Sequence, residues 1–410
     1  MLLAVSGGPD SLAMLRVAAG LLESAPGTVQ FYVATVDHGL RRQAEAEARF
    51  VAARAADCGL PHDTLRWRGW QGRGNLQAEA RDARYRLLAA HAAAIGASAV
   101  LTAHHADDQI ETHLLARARG EGGSALAGMR PCRDLAPGLR LLRPFLHLSG
   151  DGLRRALDRS GWRPVLDPSN RDPRFARARL RANPLDPSER ASVAAAIARR
   201  AAERAEEDAA LRAALDAVEA RTDDLGRVRL SAEGLAGRPP ELAARLVARV
   251  ATAAGGARHA PERVAAFRLA SELRGGRSEA ATLNGAQFRR RGDVWIACRE
   301  WGRTGPAELR GEPGEVRLLF DNRFDIRLTN DEARDGALVV PFGRLGRGSE
   351  AERTLPVLLD PSGEARLVHP GAAGKAGPVS GLLDATCRVG WRLCADLATP
   401  DGSAAVLPSG

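Results

Sequence analysis

Two segments in the first third of the chain hold the residue types and spacings that best suit chemistry. Ser6-Gly7-Gly8-Pro9-Asp10-Ser11 follows a short apolar run, Leu2 to Val5, and precedes helical apolar spacing from Leu12 to Leu22. Two adjacent glycines let backbone N–H groups approach an anion closely, and a helix N-terminus adds unpaired N–H groups and partial positive charge. Pro9 suits the first helical position. Ser6 and Ser11 add hydroxyl donors, whereas Asp10 repels phosphate and instead suits holding the loop or a magnesium ion. An ordinary serine-capped glycine turn would use fewer of these residues. The full six-residue pattern after a first strand reads as a phosphate-binding loop. The second segment, His104-His105-Ala106-Asp107-Asp108-Gln109-Ile110-Glu111-Thr112-His113, crowds imidazoles and carboxylates. Asp108 and Glu111, three apart, share a helix face. A two-metal phosphoesterase would also use such residues, and either leading histidine could simply pack beneath a sheet edge. A structural zinc site is disfavoured without cysteines. A third segment, Asp37-His38-Gly39-Leu40-Arg41, ends another apolar run.

Elements that position these clusters follow from hydrophobic periodicity. Leu2–Val5, Phe31–Val36, His62–Trp67, Ser98–Ala103 and Leu139–Phe145 read as strands. Leu12–Leu22, Ala44–Cys58, Asn75–Ile95 and Asp107–Arg117 read as helices. The alternation predicts a doubly wound, mostly parallel sheet of Rossmann-like α/β type with both faces covered. All three polar clusters follow strand ends, where such sheets bind ligands, so they can meet in one crevice. Gly120-Glu121-Gly122-Gly123-Ser124-Ala125 formally matches a dinucleotide fingerprint, but it follows a helix. That context excludes the reading, and a loop at the crevice mouth is expected. The texture changes near residue 185. Ser188–Arg221 reads as a long solvated helix opened by an Asp186-Pro187-Ser188 cap. Leu230 to Cys298 reads as helical and then extended, and Ala337–Phe342 and Thr354–Leu359 are apolar runs in a Gly- and Pro-rich tail. We expect domains at 1–185, 186–300 (connector and helical domain) and 301–410 (small, β-containing).

Composition narrows the class. The 410 residues are 45% hydrophobic and 27% charged, ordinary for a globular protein. No apolar run approaches the roughly 20 residues of a membrane helix, and no signal-peptide pattern opens the chain. Five scattered cysteines without a CxxC pair predict a reducing, cytoplasmic compartment. Lys375 is the only lysine and is followed by alanine, which excludes a Gly-Lys-Ser/Thr phosphate loop. The net charge of +9 favours an anionic partner, nucleic acid first. Between Arg140 and Arg181 eleven arginines face four aspartates. This local excess predicts an RNA-facing surface, standing apart from small-molecule binding, rather than a mixed-sign solvated face.

Several motifs carry a resemblance. Ser6–Ser11 is similar to the SGGxDS loop of the PP-loop ATP-pyrophosphatase superfamily. Val36–Arg41, Glu79-Ala80-Arg81-Asp82-Ala83-Arg84-Tyr85, Thr102–Thr112, Arg119-Gly120-Glu121-Gly122 through Met129, Arg143-Pro144-Phe145 and Asp167–Asp172 resemble, in order, motifs of the tRNA(Ile)-lysidine synthetase family. Phe175 and Ala178 depart from its Y-x-R-N-x-x-R pattern, which puts one polar contact in question. The resemblance implies a ligase that uses ATP and magnesium, adenylates the wobble cytidine of a tRNA(Ile) with a CAU anticodon, and joins that base to free L-lysine. It implies no membrane and no protein partner. Mapped onto this sequence, it makes Asp37, Asp108 and Glu111 candidate catalytic residues. Ser6, Gly7, Gly8, Pro9, Asp10, Ser11 and His38 would border the nucleotide, with Asp10 the candidate magnesium ligand. Arg84, His104, His105, Arg177 and Arg181 would bind substrate. Three rivals are a tRNA thiolase, which would need catalytic cysteines, the metallophosphoesterase, which AMP and pyrophosphate as products would exclude, and a non-catalytic tRNA-binding module, against which the intact loop argues.

Overall fold

The computed structural model describes residues 1–39, 43–67, 76–165, 174, 176–276 and 279–397. Leu40 and Arg41, Asn75, the Asp167–Asp172 motif and Phe175 lie outside them. The chain divides into two compact units, residues 1–206 and 207–410.

In the first unit the order is β1 (Leu2–Ala4), α1 (Pro9–Ser24), β2 (Tyr32–Asp37), α2 (Ala44–Asp57), β3 (His62–Arg66), α3 (Leu76–Ala94), β4 (Ala99–Leu101), α4 (Ala106–Ala118), β5 (Cys132–Ala136), β6 (Leu139–Leu142), α5 (Gly150–Arg159), α6 (Ala176–Ala182) and α7 (Pro187–Ala217), the last running on into the second unit. One six-stranded sheet runs β3-β2-β1-β4-β6-β5. Every pair is parallel except β5 with β6. Periodicity read five of these strands. It missed β5, a half-buried edge strand whose CRDLA sequence shows neither a continuous apolar run nor alternation.

Strand β1 explains the double covering. Leu3 and Val5 join a core built with α1, α2 and α5, whereas Leu2 and Ala4 join a core built with α3. An all-apolar run is what a parallel strand buried on both faces requires. Because β2 lies on one side of β1 and β4 on the other, the order reverses there. The loops after β1 and β4 therefore diverge and leave a crevice between them. Helix α7 opens as its sequence predicts: the Asp186 carboxylate accepts the backbone N–H groups of Ser188 and Glu189, both at 2.8 Å.

In the second unit, residues Pro240–Ala254 and Arg263–Arg274 form helices that share a core with a five-stranded sheet containing Val228–Ser231, Ala286–Arg291 and Val294–Arg299. A second core joins further strands, among them the antiparallel pair Leu338–Pro341 and Pro356–Leu359. The C-terminal helix Val389–Cys394 returns to the first of these cores.

Candidate active site

The loop Ser6–Ser11 turns the chain from β1 into α1. Gly7 has φ +85, a left-handed conformation that costs an L side chain strain. Gly8 is the N-cap of α1 at φ −71 and ψ 165, and no side chain caps the helix. Its N-terminal N–H groups are thus presented to the crevice. The loop is braced from within. Ser11 Oγ donates to Gly8 O at 3.0 Å and accepts the Ser6 N–H at 3.1 Å. From outside, Val165 N–H reaches Gly7 O at 3.0 Å.

Facing this loop is the first turn of α4, capped by His105. The His105 N–H donates to Asp108 Oδ2 at 3.0 Å, and His105 Nδ1 accepts the Asp107 N–H at 3.2 Å. That bond leaves the imidazole proton on Nε2, which faces Asp10 Oδ2 at 3.5 Å and Asp108 Oδ2 at 3.7 Å. Burial alone would lower the His105 pKa. The hydrogen bond to Asp10 and the fields of Asp108, Asp10 and Glu111 outweigh burial, and the net shift is upward. His105 is therefore the bridge between the two clusters, whose strand-end positions lead us to expect them in one crevice.

Glu111, with 8% of its side chain exposed, is gripped by Arg181 of α6: Nε lies 2.5 Å from Oε1 and Nη2 lies 3.1 Å from Oε2. Arg181 also lies 3.6 Å from Asp108 Oδ1, and Arg177 Nε lies 3.9 Å from Glu111 Oε2. The expectation that these arginines stand apart from the small-molecule groups does not hold for Arg181. Arg181 stays exposed, whereas Arg143 leaves the expected RNA-facing surface. It is buried, and its guanidinium donates to Arg130 O at 2.6 Å. Arg154, Arg155, Arg159, Arg163, Arg177 and Arg179 are exposed. The excess charge of the segment is thus divided between the interior and the surface. Ala178, where a polar contact was in question, is buried.

His104 points into a different environment. Its Nδ1 lies 2.9 Å from Thr102 Oγ1. Burial, followed by the fields of Arg143, Arg84, Arg81 and Arg177, lowers its pKa to about 2, so the ring is neutral at all physiological pH. Arg84 is half-buried, with its pKa lowered by desolvation. Next to it Tyr85 lies between the guanidiniums of Arg81 and Arg133, 5.2 and 5.1 Å from its ring centroid. These arginines make a cationic wall suited to a carboxylate or phosphate. At the end of β2, Asp37 Oδ1 accepts the Gly39 N–H at 2.8 Å, so one carboxylate oxygen shapes the turn. His38 packs edge-on against Trp67.

Three residues that sequence reasoning left without a role, or weighed only as metal ligands, hold the frame. Gln109 pairs with both backbone groups of Met129, accepting at 2.6 Å and donating at 3.0 Å. His113 Nδ1 lies 2.8 Å from Leu126 O. Both bind α4 to the loop after it. At Gly128 (φ +63) a Cβ would stand 2.7 Å from Gln109 Oε1. The third residue, Asp107, accepts the Gly150 N–H at 2.9 Å. The matching G…L-x-G-M spacing was the available signal for this frame.

Among the described residues no group of three or more His, Cys, Asp and Glu side chains is arranged to hold a metal ion. Magnesium makes a lesser demand, since it is commonly held by one or two carboxylates plus substrate phosphates. Asp10 fits that demand: its Oδ1 is buried and has no hydrogen-bond partner among the described residues.

Comparison with known proteins identifies the family. A family model described as a PP-loop domain matches residues 1–187. The tRNA(Ile)-lysidine synthase of Methylobacterium sp. (strain 4-46) is 44% identical over 271 residues, covering 64% of this chain and 76% of the relative. That of Methylobacterium nodulans is 46% identical over 62% of this chain and 76% of the relative. That of Ruegeria pomeroyi is 40% identical over 73% and 70%.

Proposed function

This chain belongs to the tRNA(Ile)-lysidine synthase family, and from that premise we propose that it is an ATP-dependent ligase that joins free L-lysine to the wobble cytidine of a tRNA(Ile) with a CAU anticodon. The observation that carries the proposal is the meeting of the phosphate loop with the α4 carboxylates across His105, at the ends of neighbouring parallel strands.

In this reading the triphosphate of ATP lies on the Ser6–Ser11 loop, held by the N–H groups at the start of α1 and by the two serines. Asp10 would hold magnesium, which supplies charge neutralisation at the phosphates. The cytidine O2 attacks the α-phosphate, pyrophosphate leaves, and C2 becomes electrophilic. The lysine ε-amine then attacks C2, and AMP leaves. The base must be splayed from its stack to reach the crevice. Asp37 and His38 border the base or the nucleotide. The neutral His104 offers a hydrogen-bonding nitrogen without charge, and Arg84 suits a carboxylate or phosphate.

Asp108 and Glu111 grip the amine, which must lose a proton because its pKa in water is near 10.4. In the free chain Glu111 already holds a cation, the Arg181 guanidinium. Entry of the substrate amine therefore requires that pair to open, and Arg181 and Arg177 are then free to meet RNA phosphates. The five cysteines, all free thiols, fit a reducing cytoplasm.

The test is incubation of the purified protein with ATP, labelled lysine and total tRNA. The proposal expects label in tRNA, with AMP and pyrophosphate as co-products. ADP and phosphate, or label that does not depend on tRNA, would refute it.

A further inference from the structure

The imidazole of His105 touches Asp10 of the phosphate loop, and a small set of residues outside that loop decides where the imidazole stands. Helices α4 and α5 begin side by side. The Ala106 N–H donates to Leu148 O at 2.8 Å, joining the two approaches. One residue further, the Asp107 carboxylate accepts the N–H of Gly150, the first residue of α5, at 2.9 Å. That N–H has no partner within its own helix, so Asp107 satisfies it at the positive end of α5. The Asp107 backbone N–H in turn donates to His105 Nδ1 at 3.2 Å, and its Oδ2 lies 3.4 Å from the same nitrogen. The carboxylate also pairs with the Arg190 guanidinium in the first turn of α7.

Gly150 completes the arrangement by lacking a side chain. Its φ is not left-handed, so conformation does not demand glycine. Space does. A Cβ there would stand 2.8 Å from Asp107 Oδ2, 3.0 Å from His105 Cε1 and 3.3 Å from His105 Nε2. Contacts under 3.0 Å force something to shift, and here both neighbours are held: the carboxylate by Gly150 N–H and Arg190, the imidazole by Asp107 N–H and by burial.

We propose that Asp107 and Gly150 are positioning residues for the nucleotide step: they hold His105 with its Nε2 proton directed at Asp10, so that the phosphate loop keeps the shape that admits ATP. Arg190 ties the same carboxylate to α7. Neither Asp107 nor Gly150 contacts the nucleotide in this reading. The inference rests on the assignment of Ser6–Ser11 as the ATP loop.

The test uses the full-length protein and two readouts: ATP binding by titration calorimetry, and tRNA-dependent pyrophosphate release. Asp107→Ala and Gly150→Ala should each weaken ATP binding about tenfold or more and raise the KM for ATP in parallel, with kcat within about twofold of the parent. Asp107→Asn, whose amide oxygen still accepts the Gly150 N–H, should recover most of the affinity. Asp107→Ala keeps the backbone N–H that His105 Nδ1 accepts, so nitrogen-15 histidine spectra should show the Nε2–H tautomer in the parent and in every variant, while the His105 ring shifts should move in Asp107→Ala and Gly150→Ala and stay parent-like in Asp107→Asn. Parent-like ATP affinity in both alanine variants would overturn the proposal, as would an Asp107→Asn variant as impaired as Asp107→Ala. If the parent protein itself fails to bind ATP, the loop assignment has failed. If the parent binds ATP and the variants match it, only the positioning role has failed.

Discussion

Replacing Gly8 with valine separates ligand binding from folding more cleanly than any other change in the loop. At Gly8 the backbone angles, φ −71 and ψ 165, are open to any residue. An added Cβ would meet only Ser6 Oγ, at 3.7 Å, which is ordinary contact. The folding cost is therefore that of a poorer N-cap, a few tenths to about 1 kcal/mol, and Tm should fall by no more than about 4 °C for a unit of this size. The ligand cost is different in kind. A branched side chain at the cap stands where phosphate must approach the α1 N–H groups. Loss of two charge-assisted hydrogen bonds, at roughly 1.5–3 kcal/mol each, removes at least about 3 kcal/mol. That weakens Kd for ATP by more than about 100-fold. Gly7→Ala is the control with the opposite balance. At φ +85 it forces an L residue into the left-handed region, costing about 1–2 kcal/mol of stability, while its Cβ meets Val51 and Val165 only at 3.4 and 3.5 Å. Calorimetry with ATP, alongside thermal melts, decides the matter. A Gly8→Val protein that melts like the parent and binds ATP like the parent would refute the assignment of this loop to phosphate.

Three further outcomes are expected. Glu111→Gln should leave tRNA-dependent pyrophosphate release within about tenfold of the parent while lysine incorporation collapses; an equal fall in both half-reactions would assign Glu111 to the nucleotide instead. Replacing Arg177 and Arg181 together with alanine should raise the Kd for tRNA and flatten its dependence on log salt by about one unit per lost phosphate contact. It should also tighten lysine binding in the absence of RNA, because Glu111 then loses the guanidinium that covers it; an unchanged salt slope would return both residues to a solvated face. The buried histidines set the response to acid. His104, lowered to about 2, and His369, lowered to about 4 mainly by burial, stay neutral in the folded chain after the unfolded chain begins to take up protons near pH 6.5. The contribution of these two histidines should therefore be complete above about pH 6.5 and fall as pH drops, by roughly 1.4 kcal/mol per pH unit for each; a flat stability between about pH 6.5 and 4.5 would contradict this.

Much of the site was legible in one dimension because its chemistry is local. The Ser6–Ser11 loop needs only a strand, two glycines and a helix start, all adjacent in sequence, and the run Leu2–Val5 announced a strand covered on both faces. The cap of α7 was readable for the same reason, since Asp186 bonds to residues two and three positions away. Edge strand β5 was not, because every one of its residues is partly buried, so neither an apolar run nor an alternation marks it. What only the tertiary structure decided is which charges meet. Arg181 and Glu111 lie 70 residues apart, and Asp107 and Gly150 lie 43 apart. Charge counting placed Arg181 and Arg143 on a surface with their neighbours; the fold leaves Arg181 exposed but pairs it with a candidate catalytic carboxylate, and buries Arg143. Periodicity reports which face of an element is apolar. It carries no information about which distant element covers that face, and hence none about whether a charged group ends in water, against a partner of opposite sign, or in the interior.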